Sequence, residues 1–310
     1  TTPFLTAPLP LPAETWRTVS LRRLVQFWQH PCRFLLEHIL GMRLFDEDQG
    51  IEESEPFTLD ALQAYHLRRE TVADLLTGTM PDQIGHNFAT GGRLPQGSFG
   101  FVHFQRIAQQ SLPFAADVQP LLTEPLPAME IDHLIGPFRL TGWLDDCFAA
   151  GRVTWRTGSL KGRDLIGLWL PHLALNLLSP EEVPHCSVHL ARDTADANNP
   201  VHRTTLGPVT DPQTHLRWLL DHYWLGLSQP LRFFPETSLA WAKAVRDGKD
   251  PLEAARRKWD DGFQFDGEGS DPAHRLCIPQ PTFVPTQEFV ALTGLFTTIL
   301  DHLEADDAAA

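Results

Sequence analysis

The chain has 310 residues, 42% of them hydrophobic, with nine Trp and nineteen Phe, which is apolar mass enough for one large packed domain or two smaller ones. A formal charge of -14 excludes broad wrapping of nucleic acid, whose affinity comes largely from cationic contacts to phosphate, so any such contact here is local. Cys32, Cys147, Cys186 and Cys277 form no CxxC pair, which argues against a zinc knuckle and a disulfide framework and points to a reducing cytoplasm.

The opening stretch "TTPFLTAPLPLPAETW" lacks the basic and apolar regions of a secretory signal, and residues 1–18 read as an extended arm or linker. No apolar run reaches the roughly eighteen residues of a membrane span. Residues 19–44 place Leu21, Leu24, Val25, Trp28, Phe34, Leu35 and Ile39 at helical spacing around Pro31, which predicts two short helices or one kinked helix. An acidic loop, "FDEDQGIEESEPF", precedes a helix capped by Thr58 or Asp60 and ended at Gly78. "ATGGRLPQGSFG" is a turn region, and a helix is expected from Val102 to about Gln110.

Near residue 128 the period changes. "AMEIDHLIG", "FRLTGWLDDCF" and "VTWRT" read as strands, the last two joined by a turn at "AAGR". "GRDLIGLWLPHLALNLL" is apolar almost all round, as expected for a helix packed on a sheet. Two more strands, "HCSVHLAR" and "VHRTTLG", flank a polar loop with Asn198, Asn199 and Pro200. Helices then follow from Asp211, from "TSLAWAKAVRDG", from Asp250 and from "TQEFVALTGLFTTILDHLEA", before a tail at 306–310 expected to be disordered.

A strand–strand–helix unit with an acid on its first strand is where a metal-dependent nuclease keeps its site. One carboxylate holds Mg²⁺, a second comes from the next strand, and a Lys two residues on steadies the developing charge. Asp145 takes the first position. Counting from the Gly151–Arg152 turn through "VTWRTGS" puts the second acid at Thr157 and the lysine at Ser159, neither of which carries charge. Lys161 and Asp164 fall in the turn or the first helical turn, where only a register shift would bring them into the site. His66, on the upstream helix beside Tyr65, is a further position for a site-organising group, against the plainer reading of a half-buried helix histidine. His185 and His189 have ligand chemistry but no third partner nearby in sequence, so no metal is expected there. "ARRKW" at 255–259, "VTWRT", and Arg22 with Arg23 have the charge to meet phosphate, although such groups are more often a solvated helix face.

Together, "SLRRLVQFWQHPCRFLLEHILGMRL", "EPFTLDALQAYHLRRETVADLLTG" followed by "GRLPQGSFG", and "QPLRFFPETSLAWA" with "DPLEAARRKW" resemble the C-terminal part of the RecC family, over about residues 19 to 260. The resemblance implies an α/β domain with a PD-(D/E)xK restriction-endonuclease-like core of the RecB-nuclease kind, degenerate, with extra helices on both sides. It would form one domain over residues 19–305. It implies no catalytic residues of its own, Asp145, Thr157, Ser159 and His66 being vestigial positions, and neither cofactor nor metal. Its implied partners are RecB-like and RecD-like motor subunits and DNA ends or forks, with roles in duplex splitting, strand guidance and subunit assembly during break repair. Cys32 in "HPCRF" resembles the first cysteine of the iron–sulfur staple of AddB-type nucleases, but with only Cys277 near the C-terminus a four-cysteine cluster is not expected, and Cys32 reads as a small buried residue.

Two other readings fit the same residues. One is a self-contained deoxyribonuclease using Asp145 with Asp164 or Glu130 as its second acid; the other is a scaffold without DNA contact. No GxxxxGK[ST] loop occurs, so the chain itself offers no such ATP site. Trp218, Trp224, Phe233, Phe234 and Trp241 look exposed and suited to subunit contacts.

Overall fold

The computed structural model describes residues 3–44, 60–95, 97–192, 201–262 and 266–304. The expected acidic loop at 45–57, the Thr58 cap, the loop at Asn198–Pro200 and the tail at 306–310 lie outside the described residues. The chain is mixed α/β, with two small sheets and helices around them.

The N-terminal segment lies along the body: Phe4 N–H donates to Leu276 O (2.9 Å) and Leu9 N–H to Ser228 O (2.7 Å). It leads into β1 (Thr18–Ser20) and α1 (Leu21–Gln29), whose start is set by Ser20 Oγ accepting the Arg23 N–H (3.2 Å). Pro31 then restarts the chain as α2 (Pro31–Phe34), which runs on as a π-turn at Leu35–Ile39, so the expected break falls at His30.

Next come α3 (Ala61–Leu76), α4 (Pro81–Thr90) and α5 (Ser98–Val118). Asp60 caps α3 by accepting the Gln63 N–H (2.6 Å), as expected, whereas α4 was not foreseen and α5 is about twice its predicted length. These helices bury their own small core of Leu67, Ile84, Phe88, Phe104 and Ile107.

The predicted strands form as β2 (Met129–Ile135), β3 (Phe138–Leu144), β4 (Cys147–Phe148) and β5 (Gly151–Arg156). The β2–β3 turn needs Gly136: its φ is +59°, and a Cβ there would meet the Arg217 guanidinium at 1.5 Å. After β5 come α6 (Gly162–Leu178), β6 (Ser187–Arg192) and β7 (Val201–Leu206). One sheet has the order β1-β3-β2, with β1 parallel to β3; the other has β4-β5-β6-β7. In the second sheet only β5 and β6 are parallel, because α6 carries the chain back across before β6 begins.

The helical remainder is α7 (Pro212–Gly226), α8 (Pro235–Arg246), α9 (Pro251–Trp259), the short α10 (Pro272–Cys277), which had not been expected, and α11 (Gln287–Asp301). The main core gathers Trp28, Trp169, Phe233 and Phe296 around α6, which is buried almost throughout, as its all-apolar sequence requires. A second cluster holds Cys32, Phe234, Trp259, Phe283 and Phe289.

The expected exposure of five aromatics is overturned. Phe233 and Phe234 are buried, and Trp218, Trp224 and Trp241 are half-buried, because α7, α8 and α11 close on the core from both sides of "RFFP". The apolar side chains that do face solvent are others, among them Phe99, Phe101 and Trp143. No helix of the described residues is long and apolar enough to cross a membrane.

Candidate functional site

The crossover β5–α6–β6 creates a recess at the carboxyl end of β5. Residues alternate across a strand, so Arg152, Thr154 and Arg156 share one face of β5, while Trp155 turns to the other face and meets Phe114 edge-on. In the parallel register Thr154 lies beside His189, and its Oγ is 2.8 Å from His189 Nδ1. Arg156 reaches the first turn of α6, where Nη1 donates to Asp164 Oδ1 (2.5 Å). The other oxygen of Asp164 accepts the Lys161 N–H (2.9 Å) and fixes the start of α6.

From the opposite side α3 supplies Tyr65, whose ring lies 5.7 Å from the Arg156 guanidinium, and Arg69. Gly158 leaves the space these groups occupy, since a Cβ there would come within 3.5 Å of both Arg156 and Tyr65. Gln29, at the end of α1, closes the rim by donating to Arg163 O (3.0 Å). The recess has a volume of about 260 Å³.

Burial, together with Arg152 and Arg156 nearby, lowers His189 to about 4, so the ring is neutral at physiological pH. The Thr154 hydroxyl and Nδ1 share this hydrogen bond, its direction set by the ring tautomer, and Nε2 is buried with no partner among the described residues. Behind it, burial also lowers Arg152, whose nearest carboxylate, on Asp146, is 3.9 Å away.

Strand β5 ends at Arg156, so Thr157 and Ser159, the positions counted for an acid and a lysine, lie beyond it. Thr157 is buried with its hydroxyl unpartnered, and Ser159 is exposed. Within β5, Thr154 and Arg156 are two apart on one face and nearest its carboxyl end. Asp145 follows β3, is exposed, and does not line the recess; neither does Glu130, exposed on β2. His66 is also exposed and turns instead to the hollow between α3, α4 and α5, so of the α3 residues it is the neighbouring Tyr65 that reaches β5. His185 precedes β6 and sits 3.3 Å from Ser179 Oγ, apart from His189.

Elsewhere, the "ARRKW" stretch is occupied: Trp259 is buried with its N–H donated to Gln280 O (3.0 Å), and Arg257 pairs with Glu253. Arg23 lies over the Trp16 ring. The donor set that comes closest to a metal cluster among the described residues is His30, Asp271 and His274, within 4.8 Å of one another. Its atoms are largely engaged. His30 Nδ1 accepts the Arg33 N–H (3.1 Å), which leaves Nε2 to donate to Asp271 (3.1 Å), and Asp271 also takes Arg33 (3.0 Å) and the Ala273 N–H (2.8 Å) at the start of α10. Burial opposes charge on Asp271, but His30 and its other cationic neighbours hold its pKa well below the usual range. Cys32, expected to be buried, is so, and its thiol meets that of Cys277, which with burial raises it well above the ordinary cysteine value.

The model of the RecC C-terminal domain matches residues 16–246. The RecBCD enzyme subunit RecC of Escherichia coli K12 is 28% identical over 284 residues, covering 84% of this chain and 24% of the relative. That of Mycobacterium tuberculosis CDC 1551 is also 28% identical over 284 residues, covering 91% of this chain and 25% of the relative. The chain thus spans about a quarter of the length of these curated relatives. A match over most of the chain, running through both sheets and the recess between β5 and α6, means that the chain belongs to the RecC C-terminal domain family.

Proposed function

We propose that this chain is a non-catalytic, nuclease-like domain of a RecC subunit, acting in a RecBCD-type helicase–nuclease in DNA repair and recombination. In this reading its core is a degenerate PD-(D/E)xK unit. It handles DNA strands and packs against RecB-like and RecD-like partners, which carry the motor and cutting sites, in the cytoplasm. The family match supports the assignment to RecC.

The observation that carries the loss of catalysis is Thr154-x-Arg156. A metal-dependent site needs a carboxylate and a lysine two apart on the second strand. Here that face of β5 offers a neutral hydroxyl tied to His189 and a guanidinium tied to Asp164, while Asp145 stands outside the recess. Asp164, the acid weighed as a rescue, is taken up by Arg156 and by the Lys161 N–H.

The test is incubation of the full-length chain with linear duplex DNA across a Mg²⁺ and Mn²⁺ titration. No cleavage is expected. Metal-dependent cleavage that Asp145→Ala abolishes would establish the nuclease reading instead. A forked duplex should bind with salt-dependent affinity, and its failure to bind at low salt would leave a scaffold without DNA contact.

A further inference from the structure

The recess between β5, α6 and α3 has lost what holds a metal and gained what holds an anion. Its charged lining is Arg69, Arg156 and Asp164; two cations and one carboxylate leave one positive charge. A divalent cation would meet two guanidiniums and a single carboxylate already engaged by one of them, so the electrostatics oppose it. An oxyanion meets the reverse. Arg69 has no ion pair among the described residues, and the guanidinium fork suits phosphate oxygens. At the floor, His189 is 6% exposed and lines the recess, and its Nε2 has no partner among the described residues; an oxyanion there selects the tautomer with the proton on Nε2 and the Thr154 hydroxyl donating to Nδ1. The recess also adjoins the first two turns of the 17-residue α6, the positive end of that helix.

Size narrows the ligand. At about 260 Å³ the recess is smaller than the roughly 300–1,000 Å³ of drug-sized ligand sites. It fits a phosphate group, not a whole nucleotide, and a single net positive charge matches the single negative charge of a phosphodiester.

We infer that this recess grips one backbone phosphodiester of a DNA strand directly, without a metal ion, through Arg69 and Arg156 with the His189 N–H beneath them. The inference rests on the DNA-handling reading above. On this view, replacing an acid and a lysine by Thr154 and Arg156 converts a metal-held scissile phosphate into a directly held, uncut one. Asp164 positions Arg156 and at the same time tempers the affinity.

The experiment measures binding of fluorescein-labelled oligothymidylate to the full-length chain in EDTA, across a KCl series. Arg69→Gln and Arg156→Gln should each weaken binding several-fold at low salt. Each should also flatten the slope of log K against log[salt] by about 0.7, the value of one single-strand phosphate. Arg156→Lys should recover most of that slope. Asp164→Asn should tighten binding, which a merely destabilised fold would not do, and thermal melting of Arg69→Gln, altered on an exposed helix face, controls for folding.

Oligothymidylate binding with an unchanged slope in Arg69→Gln and unchanged affinity in Asp164→Asn overturns the inference while leaving the DNA-handling reading in place. Absence of binding to both oligothymidylate and a forked duplex at low salt overturns that reading and the inference with it. Stabilisation by inorganic phosphate that is lost in Arg69→Gln, with DNA binding unaltered, marks a free-phosphate site and overturns the DNA assignment.

Discussion

The β5–α6 recess and the α2–α10 junction are built from the same parts: a carboxylate, a guanidinium and a buried imidazole. At the junction, Asp271 receives His30, Arg33 and a backbone N–H of α10, and His274 stacks between His30 (4.3 Å) and Trp259 (5.8 Å). In the recess, Asp164 receives Arg156 and one backbone N–H, and the space beside them stays open with Arg69 at its rim. The parts do not decide between structure and site. What decides is whether aromatic packing fills the remaining volume and whether a cation is left over.

The comparison breaks most sharply at Trp259. Trp259→Ala empties the wall against which His274 and Phe234 pack and frees the Gln280 carbonyl, and should cost about 3–5 kcal/mol in chemical denaturation. Tyr65→Ala, its counterpart at the recess, opens no sealed core and should cost under about 1 kcal/mol.

Asp271→Ala comes next. It removes the α10 cap, takes the acceptor from His30 Nε2 and removes one of the carboxylates that meet Arg33, all in a partly buried setting, for a loss of about 2–3 kcal/mol by the same measurement.

Acid should sharpen the contrast further. His189 and His172 lie at about 4 and His274 at about 3, each lowered first by burial, against about 6.5 in an unfolded chain. Between these values the unfolded chain binds more protons than the folded one. Stability is therefore full above about pH 6.5 and is lost as pH falls toward 4 and below. Urea midpoints measured between about pH 7 and pH 4 should decline, with a shallower decline in His189→Gln.

The smallest effect belongs to Arg69→Gln, whose stability should stay within about 0.5 kcal/mol of the parent because the side chain is exposed and has no ion pair among the described residues. A larger loss would mean that Arg69 belongs to the fold and not to the recess.

The fold was legible wherever one period ran long enough. The strands from 129 to 156 and the all-apolar α6 follow directly from their patterns, as do the Asp-Pro starts of α7 and α9. Helix α4 was missed because it buries only Ile84 and Phe88, one turn apart, although Pro81 at its first position was a usable signal. Counting from the turn placed Thr157 and Ser159 on the strand, whereas β5 ends at Arg156, because the count carries no signal for where pairing stops. The junction was beyond sequence reasoning, since Arg33 and Asp271 stand 238 residues apart and neither belongs to a recognisable spacing.

The three-residue β1 has a consequence for handling this domain. It lies parallel on β3 and covers the edge of that strand opposite β2, with Val19 wholly buried behind it. A truncation that starts at α1 would uncover that row of backbone donors and acceptors beside apolar Leu140 and Leu144. The shortened chain would then tend to associate edge to edge, at a surface that in the intact chain is never offered.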